Sequence, residues 1–146
     1  MDQLFKRLTI VTAAVALLGA VACSSSSSTT SSAASDTGGV SATEADFSIT
    51  LATSSAPAGS VTFNISNQGP STHEFVVIKT EDAPDALPVK GNTVEEDKVE
   101  GIDEAEDIAP GTTATLTTDL KAGSYVIICN IPTHYQSGMH AAFTVS

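Results

Sequence analysis

The chain has 146 residues, and its 17 Asp and Glu against 6 Lys and Arg give a formal net charge of −11 at pH 7. An excess of this sign repels the phosphate backbone of nucleic acids and the anionic surface of membranes. We therefore exclude nucleic acid as a partner. The negative charge favours either cationic protein partners or simple colloidal solubility. The length suits a single domain.

The first 22 residues predict an export signal. Lys6 and Arg7 form a short cationic start, and an uncharged run rich in Ala, Val and Leu extends from residue 8 to residue 22. As a helix, this run would span about 22 Å, which is shorter than the roughly 30 Å core of a bilayer. We therefore predict a cleaved signal peptide over 1–22 rather than a permanent transmembrane helix.

Cys23 follows small residues directly, as in the bacterial lipobox, although Ala20 stands where that motif usually has Leu. We predict that Cys23 is lipidated; the alternative is ordinary secretion with a free thiol at residue 23. Residues 24–35 are all Ser, Thr or Ala, which is typical of a flexible tether. Residues 23–39 would thus hold the protein on the extracytoplasmic face of a membrane, or in the periplasm.

Residues 40–146 predict an all-β domain, because their hydrophobic period is mostly two. Three alternating runs predict half-buried strands: Phe47, Ile49, Leu51; Val61, Phe63, Ile65; and Ala141, Phe143, Val145. Further strands are predicted at Phe75–Ile78, Thr112–Thr118 and Val126–Ile128, with turn-forming residues between the runs. Short strands at this spacing indicate a sandwich or a barrel.

The stretch from Thr80 to Asp107 lacks this regularity. It holds two prolines, and between Glu95 and Asp107 it carries eight acids against one lysine. We predict a long surface excursion with a short helical turn. The charge run indicates a solvated surface, with a docking surface for a basic partner as the alternative.

Cys129 and the loop after it carry the chemistry. Only two cysteines exist, so once Cys23 is assigned to processing, Cys129 has no partner for an intradomain disulfide. An apolar strand leads to Cys129, and His134 and Met139 follow, with four residues in each interval. His73 begins the strand Phe75–Ile78, whose end can lie beside the end of the Cys129 strand.

A thiolate, two imidazoles and a thioether favour copper, because zinc rarely takes Met and calcium or magnesium require oxygen ligands. Three alternatives stay open from the residues alone. Cys129 can be a buried structural thiol, or it can pair with His134 as the nucleophile of a hydrolase. His140 can replace Met139 in a zinc-like site of one thiolate and three imidazoles.

From about Ser60 to Ser146 the sequence resembles the cupredoxins of the plastocyanin/azurin family. The resemblance rests on Gly123-Ser124-Tyr125, Pro132-Thr133-His134, Gly138-Met139 and His73-Glu74-Phe75. It implies a Greek-key β-sandwich of seven or eight strands that binds one copper ion, Cu(I) or Cu(II). His73, Cys129 and His134 would be equatorial ligands, with Met139 as the axial ligand. Glu74 and Thr133 depart from the family, which usually has Asn or Ser and Gly at these positions.

The resemblance also implies a function. The protein would be a blue copper protein that carries single electrons between redox partner proteins, as a monomer and without enzymatic activity. Ile131, Pro132 and Tyr135 would form an apolar docking patch around His134. The alternative is a copper carrier or storage lipoprotein, which would use the same four ligands but exchange its metal.

Overall fold

A computed structural model of the chain describes residues 38–146, whose two large β-sheets pack face to face. One sheet has the order β2-β1-β4-β9 and the other the order β3-β11-β10-β5-β8. The first contains β1 (Val40–Ala45), β2 (Ser48–Leu51), β4 (Gly59–Asn67) and β9 (Thr113–Leu120). The second contains β3 (Ser55–Ala56), β5 (His73–Lys79), β8 (Glu100–Ile108), β10 (Gly123–Ile128) and β11 (His140–Val145). The chain crosses between these two sheets after β2, β3, β4, β8 and β9, as expected for a Greek-key sandwich.

Eight of the strands in residues 38–146 have four or more residues, so the predicted all-β sandwich is confirmed. The predicted signal peptide, the predicted lipidation site Cys23 and nearly all of the predicted tether lie outside the described residues. Within the described part, no helix is long and apolar enough to cross a bilayer.

The main core lies between the two sheets and follows from the period of two. In β4, Val61, Phe63 and Ile65 are at most 5% exposed, whereas the residues between them face outward. The Phe63 ring lies 5.2 Å from the rings of Phe75 and Phe143, which belong to the opposite sheet. Each buried side chain of this size stabilises the fold by roughly 1.5–3 kcal/mol.

Strands β5 and β10 are continuously apolar because both of their faces are covered. Their inner faces join the main core, whereas Val76, Ile78, Val126 and Ile128 form a second cluster on the outer face. The predicted excursion supplies the cover, with Leu87 and Val94 buried in this cluster. The cover contains two short strands, β6 (Val89–Lys90) and β7 (Thr93–Val94), and a 3-10 turn at Glu96–Lys98 that confirms the expected helical turn.

The acidic end of the excursion is a strand, not the predicted loop. Strand β8 pairs with β5 and forms an edge of the five-stranded sheet. An edge strand buries little, so acidic residues such as Asp103 and Glu106 are tolerated there. Charges on an exposed edge also discourage pairing with another chain.

Phe47 corrects a second prediction. It lies in the turn between β1 and β2 rather than in a strand, and 47% of its surface is exposed. Ile49, two residues later, is buried as the alternation predicts. The position of Phe47 is explained by the site described next.

Candidate metal centre

The Cys129 thiol lies at the end of β10, inside the sandwich and without solvent exposure. The Cys129 backbone N–H donates to the Met139 carbonyl over 3.1 Å, and the Glu74 N–H lies 3.4 Å from the sulfur. Burial raises the pKa of the Cys129 thiol to about 11, although the Glu74 and Ile131 backbone N–H groups partly oppose this. The thiolate therefore needs a positive partner to be stable at neutral pH.

His73 reaches the thiol because β5 runs antiparallel to β10. The register pairs Val76 with Ile128, which carries His73 past the end of β10 to the side of Cys129. The turn before His73 is held by the buried Asn67, whose side-chain N–H group donates to the carbonyl oxygens of Ser71 and Ile108, 2.8 Å away in each case. The ring of His73 is fully buried.

The loop from Cys129 to Met139 is fixed by its own hydrogen bonds and by the cover segment. The Met139 N–H donates to the His134 carbonyl, so the backbone folds back toward the thiol. The Tyr135 hydroxyl donates to the Pro84 carbonyl and accepts from the Leu87 N–H, both over 2.9 Å. Tyr135 is therefore only 3% exposed, and its predicted place in a surface docking patch is wrong.

Three of the four predicted ligands meet around one point. Nδ1 of His73 lies 3.2 Å from Nδ1 of His134, and Sγ of Cys129 lies 3.9 and 3.4 Å from these two nitrogens. A point equidistant from the three atoms is about 2.0 Å from each of them. Metal bonds to protein imidazoles and thiolates are roughly 2.0–2.3 Å long, so the donors fit a single metal ion.

Met139, the predicted axial ligand, is fully buried. Its backbone is hydrogen-bonded to the backbones of Cys129 and His134, which brings this end of the loop close to two of the donor residues. A bond from its thioether to the metal remains a prediction. His140 instead packs its ring against Tyr135, with centroids 5.4 Å apart, and is not part of the metal-binding cluster.

The positions of three residues around the centre were not predicted from the sequence. Asp46 Oδ1 lies 3.0 Å from Nε2 of His73, and the Phe47 ring packs edge-on against His134 with centroids 5.5 Å apart. Glu44, on β1, points into the core and is fully buried. Burial lowers the pKa of His73, His134 adds to this effect, and Asp46 opposes it.

Glu74, one of the departures from the family, links the two ligand segments. Its carboxylate interacts with the Asn130 backbone N–H next to Cys129, while its own N–H faces the sulfur. Burial and the neighbouring Glu96, Glu104 and Glu106 nevertheless raise the pKa of Glu74. At the position where the family usually has Asn or Ser, this chain thus carries a carboxylate close to the Asn130 N–H.

Thr133, the other departure, adopts a left-handed backbone with φ of 78°. A β-branched residue is strained there, at a cost of about 1–2 kcal/mol, whereas Gly is not. We therefore expect Thr133→Gly to stabilise the protein by about 1 kcal/mol in urea unfolding, somewhat less than the strain because Gly gains entropy when unfolded. Thr113→Gly on β9 is the control and should destabilise the protein. An unfolding free energy of Thr133→Gly that is equal to or lower than that of the parent would contradict the prediction.

The fold and the site together define the class of the protein, a β-sandwich with a buried His–Cys–His centre at one end. The chain belongs to the cupredoxin-like domain family, whose model matches residues 13–145. No curated protein sequence matches the chain.

Solved structures share the fold at low sequence identity. Reduced auracyanin from Roseiflexus castenholzii is 22% identical with a TM-score of 0.55, covering 73% of this chain and 94% of that one. Reduced rusticyanin is 19% identical with a TM-score of 0.52, covering 73% and 78%. An azurin from Methylomonas sp. strain J is 17% identical with a TM-score of 0.51, covering 73% and 95%.

Proposed function

We propose that the protein is a blue copper protein that transfers single electrons on the extracytoplasmic face of a membrane. The observation that carries the proposal is the triangle of two imidazole nitrogens and one thiol sulfur, with edges of 3.2, 3.4 and 3.9 Å. Two imidazoles and one thiolate, with a weak axial Met, are the ligand set of blue copper sites. Among the structural relatives, auracyanin A is described as a blue copper protein and rusticyanin as a copper protein.

Copper, when bound, supplies the one-electron couple. His73, Cys129, His134 and Met139 would hold it. Burial of the donors excludes water from the centre. The hydrogen bonds of the Met139 backbone with the backbones of Cys129 and His134 hold the loop in one geometry, so the same side chains would face either oxidation state.

Burial of the ligands also favours a metal ion that stays bound and changes its oxidation state over one that is passed to another protein. Neither His73 nor Cys129 has any exposed surface, and His134 is 8% exposed. A partner that took the metal would have to open the ligand loop first. An electron can pass through the edge of His134 with no such opening.

The proposal is tested on the copper-loaded protein by visible absorption, voltammetry and a chelator challenge. We expect an intense visible band in the oxidised protein, a reversible one-electron couple and slow loss of copper to a mild chelator. Rapid loss of copper would favour the carrier function. Absence of both the band and the couple would refute electron transfer.

We place the contact with redox partners around His134. Phe47 is the one large apolar side chain in residues 38–146 with about half of its surface exposed, and its ring packs edge-on against His134. The exposed Pro132 and the half-buried Ile131 lie on the same loop as His134. An apolar patch of this kind desolvates easily and lets a partner approach the ligand that is closest to the surface.

Replacing Phe47 by alanine should slow electron self-exchange between two copies of the copper-loaded protein about five- to tenfold. The reason is that an aromatic side chain at the centre of a contact contributes more than about 1 kcal/mol. NMR line broadening in mixtures of oxidised and reduced protein measures this rate, and the visible spectrum reports whether the copper site is intact. Phe47→Leu retains the apolar surface and should stay close to the parent. Equal rates in the parent and Phe47→Ala would exclude the patch as the contact.

The membrane location rests on the sequence around Cys23 alone. A lipid on Cys23 and the tether to residue 39 would keep the domain close to membrane-bound redox partners. Mass spectrometry of the protein from its native membrane tests the modification, and Cys23→Ser should release the protein from that membrane.

A further inference from the structure

A carboxylate from the opposite sheet reaches the deepest imidazole of the centre. Asp46 lies in the turn between β1 and β2, and its Oδ1 is 3.0 Å from Nε2 of His73. The His73 ring is fully buried, and the Asp46 side chain is 22% exposed. The contact lacks the alignment of a full hydrogen bond, and no other atom in residues 38–146 accepts from this nitrogen. Attraction between the carboxylate charge and the N–H group therefore holds the pair.

The surroundings of Asp46 are arranged for this contact. The Ser71 hydroxyl donates to the other carboxylate oxygen, Oδ2, over 2.7 Å. Gly69 lies against both partners, because a Cβ at this position would be 2.8 Å from Asp46 Oδ1 and 2.9 Å from His73 Nε2. Any side chain at residue 69 would therefore push the two groups apart.

An ionised carboxylate beside Nε2 decides where the single proton of a neutral imidazole resides. The proton is drawn to Nε2, which leaves the lone pair on Nδ1, the atom that faces Cys129 and His134. A carboxylate behind a ligating imidazole also makes the imidazole a stronger donor. Its negative charge favours the more positive oxidation state of a metal at Nδ1.

We propose that Asp46 is a positioning residue of the metal centre, which holds the proton of His73 on Nε2 and presents Nδ1 to the metal. This inference rests on the proposed function for its effect on copper, but its effect on the imidazole proton does not need a metal. The two effects are therefore tested separately.

The first test uses the metal-free full chain labelled with ¹⁵N-histidine. The nitrogen shifts of His73 should show the proton on Nε2 in the parent, and a larger share of the form protonated on Nδ1 in Asp46→Asn. Ser71→Ala, which keeps the carboxylate but frees it to turn, should shift the balance in the same direction by less. An unchanged His73 in both variants would overturn the proposal.

The second test adds copper. Asp46→Asn should bind Cu(II) about 10- to 100-fold more weakly, as expected when the carboxylate behind a ligand is lost. It should bind Cu(I) with a smaller loss, so the reduction potential should rise. Asp119→Asn removes the same charge from the exposed far end of β9 and should leave both affinities and the potential at the parent's values.

The outcomes separate the two claims. If Asp46→Asn and Asp119→Asn have the same Cu(II) affinity and potential, the proposed role of Asp46 is wrong. If the parent binds no copper, the proposed function fails, and the imidazole proton still decides the role of Asp46. Should Asp46→Asn fail to fold, Ser71→Ala carries both measurements, with the same directions and smaller shifts.

Discussion

Replacing Cys129 by serine should abolish the intense visible band of the copper-loaded protein and weaken copper binding more than about 100-fold. The band requires a thiolate bonded to copper, and a serine hydroxyl is neither soft nor ionised at neutral pH. Loss of a residue that hydrogen-bonds to a metal ligand lowers metal affinity by up to about 100-fold. Loss of the ligand itself should therefore lower the affinity further. Absorption spectroscopy and competition with a chelator measure the two effects.

His140→Gln is the matched control for this substitution. His140 directly follows the ligand loop, but its ring packs on Tyr135 and lies outside the cluster of donors. The control should keep the band and the affinity of the parent. Loss of metal in His140→Gln, with the band retained in Cys129→Ser, would favour a site of a different composition.

Stability should fall steeply between pH 5 and pH 8 because of Glu44. Its side chain is fully buried, and neither carboxylate oxygen has a hydrogen-bond partner in the part of the chain that the structure describes. Burial and the nearby Glu74 raise the pKa of Glu44 from 4.5 to about 8. The folded protein therefore holds a proton that the unfolded chain releases above pH 4.5. This contribution to stability is complete below that pH and is lost as the pH rises toward 8, by on the order of 3–5 kcal/mol.

Glu44→Gln isolates this contribution, because an amide stays neutral at every pH. The variant and the parent should unfold with similar free energies near pH 4.5, and the variant should be more stable by several kcal/mol at pH 8. Urea unfolding of the metal-free proteins, followed by far-UV circular dichroism, measures the free energy of unfolding of both proteins at each pH. The difference between the two isolates Glu44, because the other acidic residues contribute equally to both. Parallel stability curves for the two proteins would show that Glu44 does not hold the proton.

The convergence of His73, Cys129 and His134 could be predicted from the sequence because most of its determinants are local. Cys129, His134 and Met139 lie on one strand and one loop, so their spacing alone brings them near each other. The position of His73 beside Cys129 required only that two apolar strands pair, and the register of β5 with β10 provides this pairing. The alternating run from Val61 to Ile65 likewise fixes which side chains of β4 form the core.

The other parts of the site depend on contacts across the sandwich, and local periodicity does not encode these. Asp46 and Phe47 are a polar and an apolar residue in a turn, and only the packing of that turn against the other sheet places them on the two histidines. Strand β8 was missed because acidic residues at an exposed edge have the same pattern as a loop. Tyr135 was placed on the surface because nothing in its neighbours reveals the partners that its hydroxyl finds at Pro84 and Leu87.

The bonds between the ligand loop and the cover segment limit how this centre can be re-engineered. Tyr135 depends on Pro84 and Leu87, and the Asn130 side chain accepts from the Val94 N–H over 2.7 Å. A transplant of residues 129–139 into another β-sandwich would leave these partners behind, with a tyrosine hydroxyl and an amide unsatisfied in the new host. The loop is therefore not a portable module, and a functional graft would have to include residues 84–94 as well.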